Sequence, residues 1–147
     1  MHRLAKRAGL VMAAAMVFVA SDARAKLFSK AYTFKPDTTL QVGADMPAGL
    51  RLDSVEFVLP KDGAASGTFD GPKVKVSISN LGAASAKIGV AIAITDEAGR
   101  LVGVASGGTK IFPLRAGRQI VYTLSIDSVR AELASATVFR ISVEPTP

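Results

Sequence analysis

The chain has 147 residues, 49% of them apolar, no cysteine, no tryptophan, one histidine and a formal charge of +6. Without cysteine there is no disulfide, no thiolate chemistry and no Cys-ligated zinc, so stability has to come from burial. The single histidine is His2, which leaves the rest of the chain without the base of a Ser-His-Asp triad.

Arg3, Lys6 and Arg7 make a cationic start, Ala8 to Ala20 is an uncharged apolar run, and Ala23-Arg24-Ala25 supplies a small-x-small pattern. That order predicts a secretory signal peptide over residues 1–25. The run is shorter than the roughly 20 apolar residues of a spanning helix. Cutting after Ala25 leaves 147 − 25 = 122 residues with 14 Lys and Arg against 11 Asp and Glu, a net charge of 14 − 11 = +3. Residues 26–147 then suit one compact domain. Much of the basicity goes with the leader, which argues against nucleic acid as a partner. No other long apolar stretch follows. The expected product is periplasmic or secreted, with no stable membrane insertion once the signal is gone.

The arm "KLFSKAYTFK", residues 26–35, puts Phe28, Lys30, Tyr32 and Phe34 on one parity. As an edge strand it packs those aromatics on its own domain. As an interaction strand it offers the same four residues to another chain's sheet edge or to a surface ligand. Both readings stand at this point.

Further on, alternation of apolar and polar residues predicts strands. Leu40 and Val42 make a short one. In "LRLDSVEFVLP" the apolar parity changes between Leu52 and Val55, which predicts a β-bulge near Asp53-Ser54. The loop at 61–71, rich in Gly, Ala and Ser, is expected to be mobile. Val74, Val76 and Ile78 share a face, as do Ile88, Val90, Ile92 and Ile94. The opposite face of the second run, Gly89, Ala91 and Ala93, is small and uncharged and suits a cover. Strands are also predicted over 120–126 and 139–143, separated from the others by turn residues at 47–49, 80–82, 98–99 and 116–117. The segment 127–136 predicts a turn or two of helix, capped by Asp127 or Ser128.

Several short strands and almost no helix predict an all-β chain: an antiparallel, immunoglobulin-like β-sandwich of about seven to nine strands. The run from Val74 to Glu144, with "SNLG", "TDEAGRLVG", "PLRAGRQIVYTLSI" and "ATVFRISVE", resembles small bacterial immunoglobulin-like domains of the FxLYD type. The resemblance covers about half of the expected mature chain and rests on turn residues. It implies an extracytoplasmic accessory or binding module and carries no catalytic residue across.

Asp96-Glu97 is a candidate for chemistry. Calcium asks for six or more oxygens from a loop that repeats acids at alternate positions. Here two acids precede Arg100, and Gly99 suits the positive φ of a hairpin. The expectation is an exposed turn whose acids can be replaced at little cost. No G-x-S-x-G or S-x-x-K marks a nucleophile. "SGGTK", 106–110, lacks phosphate-loop spacing and reads as a flexible connection. Lys73, Lys75 and Arg51 lie among Ser and Asp rather than aromatics, unlike a single-strand binder.

The expected function is therefore a non-enzymatic exported binding or assembly module of the bacterial envelope, with no cofactor and no metal. It acts through sheet edges and loops on another envelope protein or a surface polymer. An envelope hydrolase using carboxylates, active on carbohydrate or peptide, is the alternative; a surface-fibre subunit is a third reading.

Overall fold

The computed structural model describes residues 26–60, 71–128 and 133–146. The expected leader (1–25), nearly all of the expected mobile loop (61–70), residues 129–132 and Pro147 lie outside the described residues. The strands are β1 (Phe28–Thr33), β2 (Thr39–Asp45), β3 (Leu50–Val58), β4 (Lys73–Asn80), β5 (Lys87–Asp96), β6 (Leu101–Gly108), β7 (Gln119–Ser125), the two-residue β8 (Asp127–Ser128) and β9 (Ala136–Thr146). They pair into two antiparallel sheets. One runs β1-β9-β5-β6 with β8 on its far edge, and the other runs β2-β3-β4-β7.

The alternation read from the sequence is what stacks these sheets. Val74, Val76 and Ile78 of β4 are fully buried, and they meet Ile88 to Ile94 of β5 and Phe139, Ile141 and Val143 of β9 in one continuous core. A strand presents every second side chain to the same face, so each run buries one parity and leaves the other to solvent. Gly89 and Ala91, on the outer face of β5, are exposed, so the expected cover does not extend over them.

The parity change in β3 is a bulge. Its register against β4 shifts between Leu52 and Ser54, so Leu50 and Leu52 point inward before it and Val55 and Phe57 after it. Asp53, in the bulge, accepts hydrogen bonds from Ser79 Oγ at 2.7 Å and Gln119 Nε2 at 3.0 Å. The extra residue is thereby tied to β4 and β7 instead of dangling.

Asp127 and Ser128 pair with β6, opposite Val104 and Gly103. The middle of the segment expected to be helical, 129–132, lies outside the described residues, and Leu133, which follows it, is helical and buried.

At one end of the sandwich β4 closes on Asn80, whose side chain is 0% exposed. Its Nδ2 donates to the carbonyls of Ala84 and Leu114, both at 2.9 Å, and its Oδ1 accepts from the Gly82 N–H at 3.0 Å. Gly82 in turn lies against the turn between β2 and β3. A Cβ on Gly49, whose φ is +71°, would stand 2.6 Å from Gly82 Cα. The two turn glycines are needed because the two turns touch.

Asn80→Ala should cost on the order of 3 kcal/mol in urea unfolding, because it removes three side-chain hydrogen bonds worth about 1 kcal/mol each. A loss of under about 1 kcal/mol, the worth of one ordinary hydrogen bond, would show that the loops satisfy one another without the amide.

Candidate functional site

β1 runs antiparallel to β9, from Phe28 opposite Val143 to Thr33 opposite Val138. This register turns Phe28 and Tyr32 toward the core, where both are partly buried. Phe34, one residue beyond the strand, is 7% exposed. Its ring centroid lies 4.6 Å from that of Phe57, which lies 4.8 Å from Phe139 in an edge-on contact. Tyr32 stacks on Phe139 at 5.5 Å. Offset and edge-on ring pairs at such separations are favourable beyond their burial. The aromatic face of the arm is therefore used within its own domain. Of the four residues expected to meet a partner, only Lys30 is exposed, with Nζ 5.4 Å from the Tyr32 ring centroid. It sits opposite fully buried Ile141, a lysine on the inward parity of an edge strand. Such a charge discourages another strand from adding on.

Between the outer edges β1 and β2 the sandwich leaves a cleft of about 330 Å³. Tyr32, Leu40, Val55, Phe57 and Phe139 line it, with Thr33, Lys35, Thr39 and Gln41 around them. The Tyr32 hydroxyl is buried with no hydrogen-bond partner among the described residues, and burial pushes its pKa up. Tyr122, in β7, shows the same pair of properties. Burial thus keeps both phenols protonated near pH 7.

Asp96 and Glu97 turn the chain from β5 into β6, with Gly99 at a φ of +78°. The two acids are not equivalent. Glu97 is exposed as expected, but Asp96 is 6% exposed. Asp96 Oδ1 accepts from the Arg100 N–H at 2.9 Å, and Oδ2 receives Nε and Nη2 of the same arginine, each at 2.7 Å. The Arg100 backbone N–H, then its guanidinium, holds the Asp96 pKa below the usual carboxylate range. The acid is a clamp on its own turn. Among the described residues no group of three or more His, Cys, Asp or Glu gathers as metal ligands would.

The stretch expected as a flexible connection, 106–110, is instead ordered as the end of β6 through Gly108. Thr109 is then fastened to β5: its N–H donates to the Ile88 carbonyl at 2.9 Å and its Oγ1 accepts from the Ile88 N–H at 2.8 Å. Leu114, buried, exchanges both backbone hydrogen bonds with Ala86, at 2.8 and 3.0 Å. Four residues stand out between those two stems: Lys110, Ile111, Phe112 and Pro113. Ile111 is 77% exposed and Phe112 82%. Neither was singled out from the sequence, because a pair of apolar residues before a proline has no strand or helix period to betray it. Among the described residues no helix is long and apolar enough to cross a membrane.

No protein-family model matches the chain, and no curated protein matches it.

Two outcomes follow from the arm and the hairpin. Phe34→Ala should cost about 3 kcal/mol, as loss of a buried aromatic does, and deletion of 26–35 should expose apolar surface to a dye such as ANS. A deletion mutant with unchanged melting and no dye binding would show that the arm is dispensable to the core. For Asp96, the lowered folded pKa means that its stabilisation is present above the unfolded value of about 3.9. It is lost as pH falls through the folded value. Melting curves of wild type and Asp96→Asn should be well separated at pH 7 and converge in acid, whereas Glu97→Gln should follow wild type throughout. A pH-independent gap would place the role of Asp96 in packing instead.

Proposed function

We propose that this chain is an exported, non-enzymatic binding or assembly module of the bacterial envelope, built on an immunoglobulin-like sandwich. It engages another envelope protein or a surface polymer through the loops at its Asn80 end. The observation that carries this reading is the four-residue tip: two large apolar side chains held in solvent on stems that are hydrogen-bonded on both sides. An interaction site pre-organised in this way binds without a large ordering cost.

Strand order supports the immunoglobulin-like reading. β3, β4 and β7 are neighbours as strands A, B and E are in such sandwiches, and β5 and β9 stand as C and F do. The place of G beside F is taken by β1, from the start of the described chain. Docking of β1 in its own sandwich favours the loop end over the arm as the partner surface, and speaks against a fibre built by strand donation. The hydrolase alternative asks for a carboxylate with a raised pKa in a cleft. The buried acid Asp96 is shifted the other way and is already bonded to Arg100.

The test is a photo-crosslinking residue placed at position 112 in exporting cells, with one at Val121, an exposed strand position, as control. A discrete adduct at 112 that is absent at 121 is expected. No adduct at 112, or the same adducts from both positions, removes the loop end as the binding surface.

A further inference from the structure

The tip has two properties that a single kind of surface satisfies together. Its apex is apolar, and its surroundings are basic. Lys110 adjoins Ile111, Arg115 follows the buried anchor Leu114, and Lys87 and Arg118 are exposed on the segments that hold the stems. Glu144 is an opposing charge nearby, lining with Lys87 and Lys110 a depression at the base of the loop. Arg51, Asp45 and Asp53 stand at the same end, so among the described residues there five cations face three carboxylates, an excess of 5 − 3 = 2 positive charges. Leu81, 63% exposed on the adjacent loop, adds a third apolar group to the same end.

We propose that the Lys110–Pro113 tip docks on an anionic lipid bilayer, with Ile111 and Phe112 entering the acyl boundary while Lys110 and Arg115 meet lipid phosphates. The proposal rests on the loop end of the reading above as the contact surface, and puts a lipid there in place of a protein or polymer. A protein interface of ordinary size needs about 800 Å² from each partner, a broad and shaped patch. Two side chains at the apex of a four-residue loop form a wedge. A bilayer boundary accepts a wedge, because it needs apolar depth and a complementary headgroup charge rather than a matched shape. The stems matter for the same reason. Thr109 is tied to β5 and Leu114 to Ala86 just before it, and Pro113 restricts the backbone between them, which holds the two apolar groups away from the core. The attachment is peripheral and reversible, since two side chains do not span anything.

The experiment uses the chain beginning at Lys26 and vesicles of pure phosphatidylcholine or of phosphatidylcholine mixed with phosphatidylglycerol. The protein lacks tryptophan, so Phe112→Trp creates a lone fluorophore at the apex. Its emission should shift to the blue only with the phosphatidylglycerol vesicles. Wild type should co-sediment with those vesicles. Binding should fall roughly tenfold or more in the Ile111→Ser/Phe112→Ser double variant, as loss of two apolar anchors predicts. It should fall likewise in Lys110→Glu/Arg115→Glu and at high salt. Circular dichroism should show all variants folded, because each changed side chain is exposed. Absence of wild-type binding, equal binding to both vesicle types, or unchanged binding of the apolar double variant overturns the proposal. A protein adduct at position 112 combined with no vesicle binding leaves the loop-end reading standing and removes the lipid. No adduct of any kind at 112 removes both.

Discussion

The amide of Asn80 sits where three loops converge, and its hydrogen bonds determine how that whole end of the sandwich is arranged. A buried amide left unsatisfied is costly, so the side chain holds its partners in one geometry. The backbone of the same residue adds two more bonds: its N–H donates to Arg118 and its carbonyl accepts from Gly117, both at 2.8 Å. The turn after β4, the connection from β6 to β7 and the start of β7 are thus fastened to one residue. The turn between β2 and β3 joins them through the contact of Gly49 with Gly82 and the Leu81 N–H to Gly49 carbonyl bond at 2.8 Å. Displacing any one loop breaks bonds made by the others.

The flank beside β1 is held by different means. Phe34, Phe57, Phe139 and Tyr32 form a run of ring contacts that crosses from the arm, through β3 of one sheet, to β9 of the other. β1 and β9 are far apart in sequence, and the Ser29–Ser142 hydroxyl contact at 3.0 Å spans 113 residues. In a chain without cysteine this aromatic seam joins the beginning of the described fold to its end by burial and pairing alone. The same commitment weighs against the arm as an interaction strand. To pair elsewhere it would have to withdraw Phe34 from Phe57 and leave an apolar cavity behind.

What could be read from the sequence was whatever has a period. Alternation at 74–78, 88–94 and 139–143 marked strands that the structure contains, and the parity change at Leu52–Val55 marked a bulge where the register does shift. Properties set by distant neighbours left no such trace. Asp96 looked like its neighbour Glu97, since nothing local says that one carboxylate is buried under Arg100 and the other faces water. The strand pairing of Asp127 and Ser128 had no local sign, because the β6 edge they meet lies about 25 residues earlier. Asn80 looked like an ordinary turn residue. Its burial depends on Leu114, which only the folded chain brings near.

Single apolar residues on a protein surface need no explanation, and several here are of that kind: Leu101, Val121 and Val138 are separate strand positions. Ile111 and Phe112 differ from them in three respects that bear on one another. They are adjacent in sequence, they are more exposed than any other large apolar side chain described, and the loop beneath them is bonded on both sides. A connection that only had to span β6 and β7 could carry glycine and serine over the same four residues without loss to the core, because neither side chain packs in it. The opposite end shows what a self-contained connection looks like: Asp96 and Arg100 satisfy each other, and the turn presents Glu97, Ala98 and Gly99 to water. Folding accounts for that turn. At the Asn80 end it accounts for the stems and not for the exposed apolar apex.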